Sequence, residues 1–373
     1  MSLLDRLLPE PDFVVRDPQG VTQQMVSQYE ALTGKTLYPA QVERILVDVI
    51  AYRESLMREA VQDAAKLNLV RYSRAPILDY LGENIGVGRL DAVKARTTLR
   101  FTFNPAPVSA TLLPQGTVVE GGEISFACLA QTTVPPGALS IDVEAACTQA
   151  GIVGNGFVAG QIKTLSSSLP GLSVDTVQNI TTSAGGAEEE DDEHLKERIV
   201  LAPEQFSNAG SVGAYRFYAL SAHQDIIDVA VVSPTPGVVN LHPLVKTGLP
   251  SAAVKAAVLA ACNADRVRPL TDQVNVLDPV IVDYAITAQL TLFSAADAVL
   301  AQSEAQKAAE AYRDRQQARF GQDIVRTQII EVLHGYGVYS VALPQPAADQ
   351  VLTDQSWPRC TAITITVVGM AQG

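Results

Sequence analysis

From Val42 to Leu69 the apolar residues Val42, Ile45, Leu46, Val49, Ile50, Leu56, Met57, Ala60, Val61, Ala64 and Leu69 recur three or four positions apart. That spacing lays them along one stripe of an α-helix and excludes a strand, whose period is two. Tyr38-Pro39 places a proline at a first helical turn, where its missing N–H costs little. The spacing therefore predicts a helix of roughly thirty residues over 39–70, reaching about 45 Å at ~1.5 Å per residue. A small domain is narrower than this, so such a stripe needs a partner, in the same chain or another. The first ninety residues as a whole read as helical, with a second short helix expected over 77–81 and ended by Gly82.

The texture changes near Val93. Thr97, Leu99, Phe101 and Phe103 alternate with Thr98, Arg100 and Thr102, which is strand periodicity. Leu113-Pro114-Gln115-Gly116-Thr117 reads as a turn into Val118-Val119, and Gly121-Gly122 as a tight reversal before Ile124, Phe126 and Leu129. Turn residues recur through Gly156, Gly160 and Pro170-Gly171, so 93–185 is expected to be a mostly β module. Past Gly185-Gly186, strand-like runs at 226–232, 238–245, 274–276, 280–293, 338–343 and 362–368 interleave with helical ones. The helices are expected at 251–264 with Ser251 as N-cap, at 298–320, and at 324–334 with Gly335 as its stop. The fold class expected is α+β multidomain: an N-terminal helical arm over 1–92, the β module over 93–185, and C-terminal α+β units over 186–373.

Composition narrows the function. The 373 residues carry a net charge of -13, and only 18% are charged. An acidic chain lacks the basic face that meets phosphates, which argues against duplex binding. Cys128, Cys147, Cys262 and Cys360 lie too far apart for a CxxC site and read as buried thiols. No signal-peptide core stands in 1–10, and no apolar run of about eighteen residues suggests a membrane span.

Apparent motifs fail on context. Gly34-Lys35-Thr36 ends like a phosphate loop, but Tyr29 stands where a glycine is needed and no strand precedes it. Gly154-Asn155-Gly156-Phe157-Val158-Ala159 fits GxGxxA but is followed by a serine run instead of a helix, so a β-turn is the better account. His194, His223, His242 and His334 show no metal-ligand spacing, and there is no HExxH or GxSxG. The acidic run from Glu188 to Glu193, leading into Leu195 and Ile199, reads first as the solvated start of a helix. A docking surface for a basic partner and a hard-cation site are the alternatives, although the calcium-loop alternation is missing.

Six segments, taken in order, resemble the baseplate J-like family of contractile phage tails and related injection machines. They are Leu78-Asp79-Tyr80-Leu81-Gly82 with Ile85-Gly86-Val87 and Arg89; Leu113 to Thr117 with Gly121-Gly122 and Phe126; and Gly151 with Gly154-Asn155 and Gly160. Then come Thr181-Thr182-Ser183-Ala184-Gly185-Gly186 running through the acids to Leu195-Lys196-Glu197-Arg198-Ile199; Ala209-Gly210-Ser211 with Ala214-Tyr215; and Arg268-Pro269-Leu270-Thr271-Asp272. The acidic stretch is longer than the family's usual run.

The resemblance implies a structural wedge component carried in the virion's tail baseplate and assembled in the host cytoplasm. It would join a smaller tail protein through its N-terminal helices, meet hub and sheath-initiating proteins, and stand beside copies of itself in a six-fold ring. It would take part in the rearrangement that triggers sheath contraction. The family has no catalytic residues to carry across, and neither a cofactor nor a metal, nucleic acid or membrane is expected. The partner-binding stripe falls on Val42, Leu46, Val49, Leu56 and Val61. The alternatives are a receptor- or glycan-binding tail module, which wants an exposed aromatic platform, and a cell-wall enzyme, for which no acid pair stands in a motif. Trp357, Tyr336 and Tyr339 are expected to pack in a core instead.

Overall fold

The computed structural model describes residues 4, 6, 8–207, 210–264 and 267–372. The chain forms two compact units, Met1–Arg89 with Asp192–Pro203, and Leu90–Asp191 with Glu204–Gly373.

The first unit is helical: α1 Pro18–Thr33, α2 Val42–Lys66, α3 Ile77–Glu83 and α4 Asp192–Leu201. Asp17 caps α1, its carboxylate accepting from Gln19 N at 3.0 Å, and Gly34 closes it in the left-handed region. The phosphate-loop lookalike is thus the end of one helix before the next. α2 has 25 residues, about five fewer than the apolar spacing suggests, and about 37 Å of length. Pro39 does not open it. Gln41 N bonds back to Tyr38 O at 3.0 Å, closing a turn over Pro39-Ala40, and the helix starts at Val42. At its far end the chain tightens into a 3₁₀ turn at Val70–Tyr72. Gly82 does not end α3 but lies inside it, buried. A Cβ there would stand 2.3 Å from Val87 O, so glycine is required by the returning chain and not by a helix stop.

The second unit opens with an antiparallel barrel of β1 Arg96–Phe103, β3 Val118–Gly121, β4 Ile124–Cys128, β6 Ser140–Cys147, β7 Thr164–Leu165 and β8 Val174–Asn179, with the pair β2 Thr111–Leu113 and β5 Thr132–Val134 beside it. The sheet order is β7-β3-β4-β6-β1-β8, and β1 buries every second residue, as its alternation requires. Leu99, Phe101, Leu113, Val119, Phe126 and Ile162 are fully enclosed. Asn179 nearly closes the ring. Its Oδ1 accepts from Ile162 N at 2.9 Å, its backbone N–H donates to Ile162 O at 3.0 Å, and its Nδ2 reaches the carbonyls of Phe157, Val158 and Thr181.

Two smaller α+β layers follow. In the first, β10 Val238–Val245 runs antiparallel to β9 Ile226–Thr235 and parallel to β11 Gln273–Val276, the crossover being α6 Ala252–Cys262, capped by Ser251. The helix α5 Val212–Leu220 packs on β9, a helix the sequence reading leaves unassigned. In the second layer β12 Val280–Phe293 is central, antiparallel to β13 Val338–Gln345 and parallel to β14 Ser356–Ala371. One face is covered by α7 Ala298–Gln317 and α8 Arg326–Leu333 around Ile286, Ala288, Leu290, Leu292 and Tyr312. α7 stops before Phe320 because that residue turns inward onto Trp357, Ala230 and Leu244, while its N–H donates to Asp228 Oδ2 at 3.0 Å. The left-handed residue after α8 is Gly337, not Gly335. Trp357 packs as expected, its indole N–H on Gln317 O at 2.9 Å. Tyr336 and Tyr339 do not: both lie at the surface, Tyr339 edge-on to Phe293. The architecture is α+β and multidomain, a helical arm ahead of a nearly closed barrel.

Candidate partner interface

α2 has an apolar side and a polar side, and the chain covers the polar one. The residues turned towards the rest of the unit are Arg44, Val47, Asp48, Ala51, Glu54, Ser55, Arg58 and Gln62, of which Val47, Ala51 and Gln62 are buried. Gln62 is only 2% exposed and acts as a clasp for the segment before α1. Its Oε1 accepts from Phe13 N at 2.8 Å and Val14 N at 3.3 Å, and its Nε2 donates to Pro11 O at 2.7 Å. Arg58 reaches Val15 O, Lys66 pairs with Glu10 at 2.7 Å, and Arg44–Asp48 and Arg58–Glu54 close i,i+4 pairs along the covered flank. A buried glutamine with its donors and acceptors met holds the segment in one register.

The apolar side faces outward. Val42, Leu46, Val49, Leu56 and Val61 are 71, 59, 54, 48 and 51% exposed, joined by Ile45, Ile50, Tyr52 and Met57. The structure therefore places all five stripe residues together on one open face. Tyr52 was missed because it interrupts the aliphatic spacing, although it stands three positions after Val49.

The acidic run is not one surface. Only Asp192 and Glu193 occupy the first turn of α4. Within the second unit, Glu188 accepts from Ile152 N at 3.0 Å, and Asp191 pairs with Lys246 at 2.7 Å. Glu190 is buried with its carboxylate on Leu90 N at 2.9 Å. Within the first, Asp192 pairs with Arg89 at 2.7 Å and accepts from Ala75 N. The solvated-start reading holds for part of the run: Asp192 and Glu193 open α4, and Glu188, Glu189, Asp191 and Glu193 are exposed, whereas Glu190 is buried and Glu188, Asp191 and Asp192 are bonded to separate parts of the fold. Among the described residues no group of three His, Cys, Asp or Glu could hold a metal ion.

Residues quoted from separate sequence segments meet as clasps. Arg89 grips Asp79 of α3 at 2.7 Å as well as Asp192 of α4, which holds the Asp79 carboxyl below its usual range. Asn155 and Gly186 exchange two bonds, at 2.7 and 2.9 Å. Tyr215 donates to Asp272 at 2.8 Å; burial, then the carboxylate, pushes the phenol up. Ala209, and Asp5 near the start, lie outside the described residues. Cys128, Cys147 and Cys262 are buried and Cys360 partly so, none in a disulfide. Burial raises Cys128 to about 11 and Cys262 to about 12, so neither is a thiolate at neutral pH.

Comparison with known proteins places the chain. Four family models match in order: Baseplate J-like N-terminal domain over 44–95, Baseplate J-like protein barrel domain over 98–186, Baseplate J-like central domain over 207–278, and Baseplate J-like protein C-terminal domain over 284–366. "Baseplate protein J" of Escherichia phage P2 is 37% identical over 182 residues, a match that spans 48% of this chain and 60% of that protein. Among solved structures, a chain of the six-fold symmetrised cryo-EM structure of the anti-feeding prophage baseplate gives a TM-score of 0.47 at 12% identity, over 91% of this chain and 90% of that one. With arm, barrel and both sheet layers each matched in sequence order, the chain belongs to the baseplate J-like family.

Proposed function

We propose that this chain is a structural wedge component in the baseplate of a contractile phage tail or tail-like particle, working by being held between neighbours. The observation that carries the proposal is the outward apolar face of α2. A chain that covers the polar side of its longest helix and leaves the apolar side bare keeps that face for another molecule. Fully burying one aliphatic side chain is worth about 1.5–3 kcal/mol, so covering Val42, Leu46, Val49, Leu56 and Val61 even in part supplies several kcal/mol.

In this reading 1–92 is the arm that joins the helices of a smaller tail protein. The barrel over 93–185 is the rigid body, and 186–373 makes lateral contacts with copies of itself in a six-fold ring and with hub and sheath-initiating proteins. Wedges so linked rearrange when the sheath contracts. The place of work is the virion's tail baseplate, after assembly in the bacterial cytoplasm. No catalytic role is assigned, and among the described residues no helix is long and apolar enough to cross a membrane.

Co-expression with the other tail proteins tests this. Affinity purification of the chain should bring down the smaller partner, and V49D/L56D should lose it. Normal recovery with that variant would sink the arm reading. A second reading, a glycan-binding tail module, is favoured by the exposed Tyr336 and by the exposed Tyr339, which stands edge-on to Phe293. Binding on a glycan array, lost in Y336A/Y339A, would support it over the scaffold.

A further inference from the structure

Charge is missing from one end of the barrel. The stretches 101–119, 124–141 and 164–174 run for 19, 18 and 11 residues without an Asp, Glu, Lys, Arg or His, in a chain of which 18% is charged. They lie apart in the sequence and meet in the fold. Gly137 N donates to Pro107 O at 2.8 Å, Phe103 N to Leu139 O at 2.9 Å and Asn104 N to Ser173 O at 3.1 Å, while Ser173 Oγ donates back to Asn104 O at 2.9 Å. Beneath them Phe103, Leu113, Val134, Leu169 and Leu172 are buried in one core, so the loops stand on a packed base. The Pro107–Gly137 bond brings the loop of Val108 beside that of Leu139, and these two are 98 and 71% exposed; Leu112, on β2, is 51% exposed. One surface aliphatic is ordinary, but three on a rim with no ionisable group make a patch.

The chemistry of this end selects its occupant. Nucleic acid and anionic lipid need basic residues, and a bilayer surface also wants Trp or Tyr at its interface. The three stretches hold none of these, and their only aromatic residues, Phe101, Phe103 and Phe126, are buried. Strand addition is blocked, because β2 and β5 are three residues long and run into Pro114 and Pro135-Pro136. A second copy set end to end would bring together two chains of net charge -13 with no ion pair between the faces. Side-chain contact with another protein is what fits. Any charge that protein set against the patch would lose its water and find no mate, so its facing side chains must be uncharged too. We propose that this end of the barrel docks a second protein partner in the particle, distinct from the arm's, through an aliphatic, uncharged surface on that partner. The barrel thereby gains an interface of its own, beyond the arm and the lateral contacts.

The test uses full-length protein co-expressed with its tail partners. On affinity purification V108D/L139D should recover at least about tenfold less of one identified tail protein, while V108I/L139I retains it and both variants still bring down the arm partner. With the parent chain, recovery of that protein should hold when salt is raised from about 0.1 to 0.5 M, since no ion pair is there to screen. V108C, made in a C360A background, should react with a maleimide at least about tenfold more slowly in the assembled particle than in the free chain. The free variants should unfold in urea as the parent does, both side chains standing mostly in solvent. A full complement of tail proteins with V108D/L139D, equal reactivity of V108C in chain and particle, or an association lost in high salt would overturn the proposal. So would loss of a differently tagged second copy in place of another protein, or flotation with phosphatidylcholine vesicles that V108D/L139D abolishes, which assign the patch to self-contact or to lipid. Loss of the arm partner in V49D/L56D concerns the arm alone.

Discussion

The strand β1 and the helix α2 are both amphipathic, and they are turned in opposite directions. In β1 Thr97 and the apolar Leu99, Phe101 and Phe103 are turned into the barrel while Arg96 and Arg100 stand at the surface. In α2 the charged Arg44, Asp48, Glu54 and Arg58 turn towards the chain, and Leu46, Val49 and Leu56 face solvent. Since burial of apolar area is the main favourable term in folding, the barrel satisfies its own hydrophobic demand and the arm does not. In the function proposed above, the difference separates a part that is finished within one chain from a part left for a partner to cover.

That contrast breaks first in the barrel. Phe101→Ala removes a fully buried ring and should cost about 3–5 kcal/mol, read by urea denaturation of the purified chain. A loss under about 1 kcal/mol would mean the barrel does not rely on its own core. On the arm, V49D/L56D should leave the same urea transition within about 0.5 kcal/mol, because both side chains are half exposed. A large destabilisation there would place the apolar face in the chain's own core after all. Asn179→Ala lies between. It leaves Ile162 N and its other partners without their bonds, and about 1–3 kcal/mol should be lost, with faster amide exchange at Ile162 and along β8. Exchange unchanged at Ile162 would show that ring closure rests elsewhere.

Much of this was legible in the sequence, and unevenly. The alternation of β1, the strand-like run of β12 and the apolar spacing of α2 depend on neighbours a few residues away, so periodicity finds them. The spacing of α2 reveals that a face is apolar but not which way it points. Its direction is set by Gln62 taking hold of Phe13 and Val14, nearly fifty residues upstream, and no local pattern encodes that pairing. The acidic run was read correctly only in part, for the same reason: Asp192 and Glu193 do open α4. Six acids in a row look like one surface, but Glu188, Glu190, Asp191 and Asp192 are parted by partners at Ile152, Leu90, Lys246 and Arg89. The edge of β14 is a topological fact: only the sheet order shows that no strand among the described residues pairs on its far side.

The last contrast concerns how each region uses charge. Arg89 is largely covered and grips Asp79 and Asp192, joining α3 to α4; Arg100 pairs with Asp142 on the open outside of the barrel. Arg89→Met should cost about 1–2 kcal/mol, less than a fully buried pair because both carboxylates are about one-third exposed. Arg100→Met should cost little and should lose even that in high salt. The pH dependence has a definite sign. Arg89 lowers the Asp79 carboxyl in the folded arm, so its contribution is complete above the unfolded value, about 4, and fades as pH falls through the lower folded one. The stability gap between wild type and R89M should therefore be widest at neutral pH and narrow as pH falls below about 4, by urea titrations followed at the helical signal. A gap that stays constant across that range would show that Arg89 acts through packing of its stem and not through its charge.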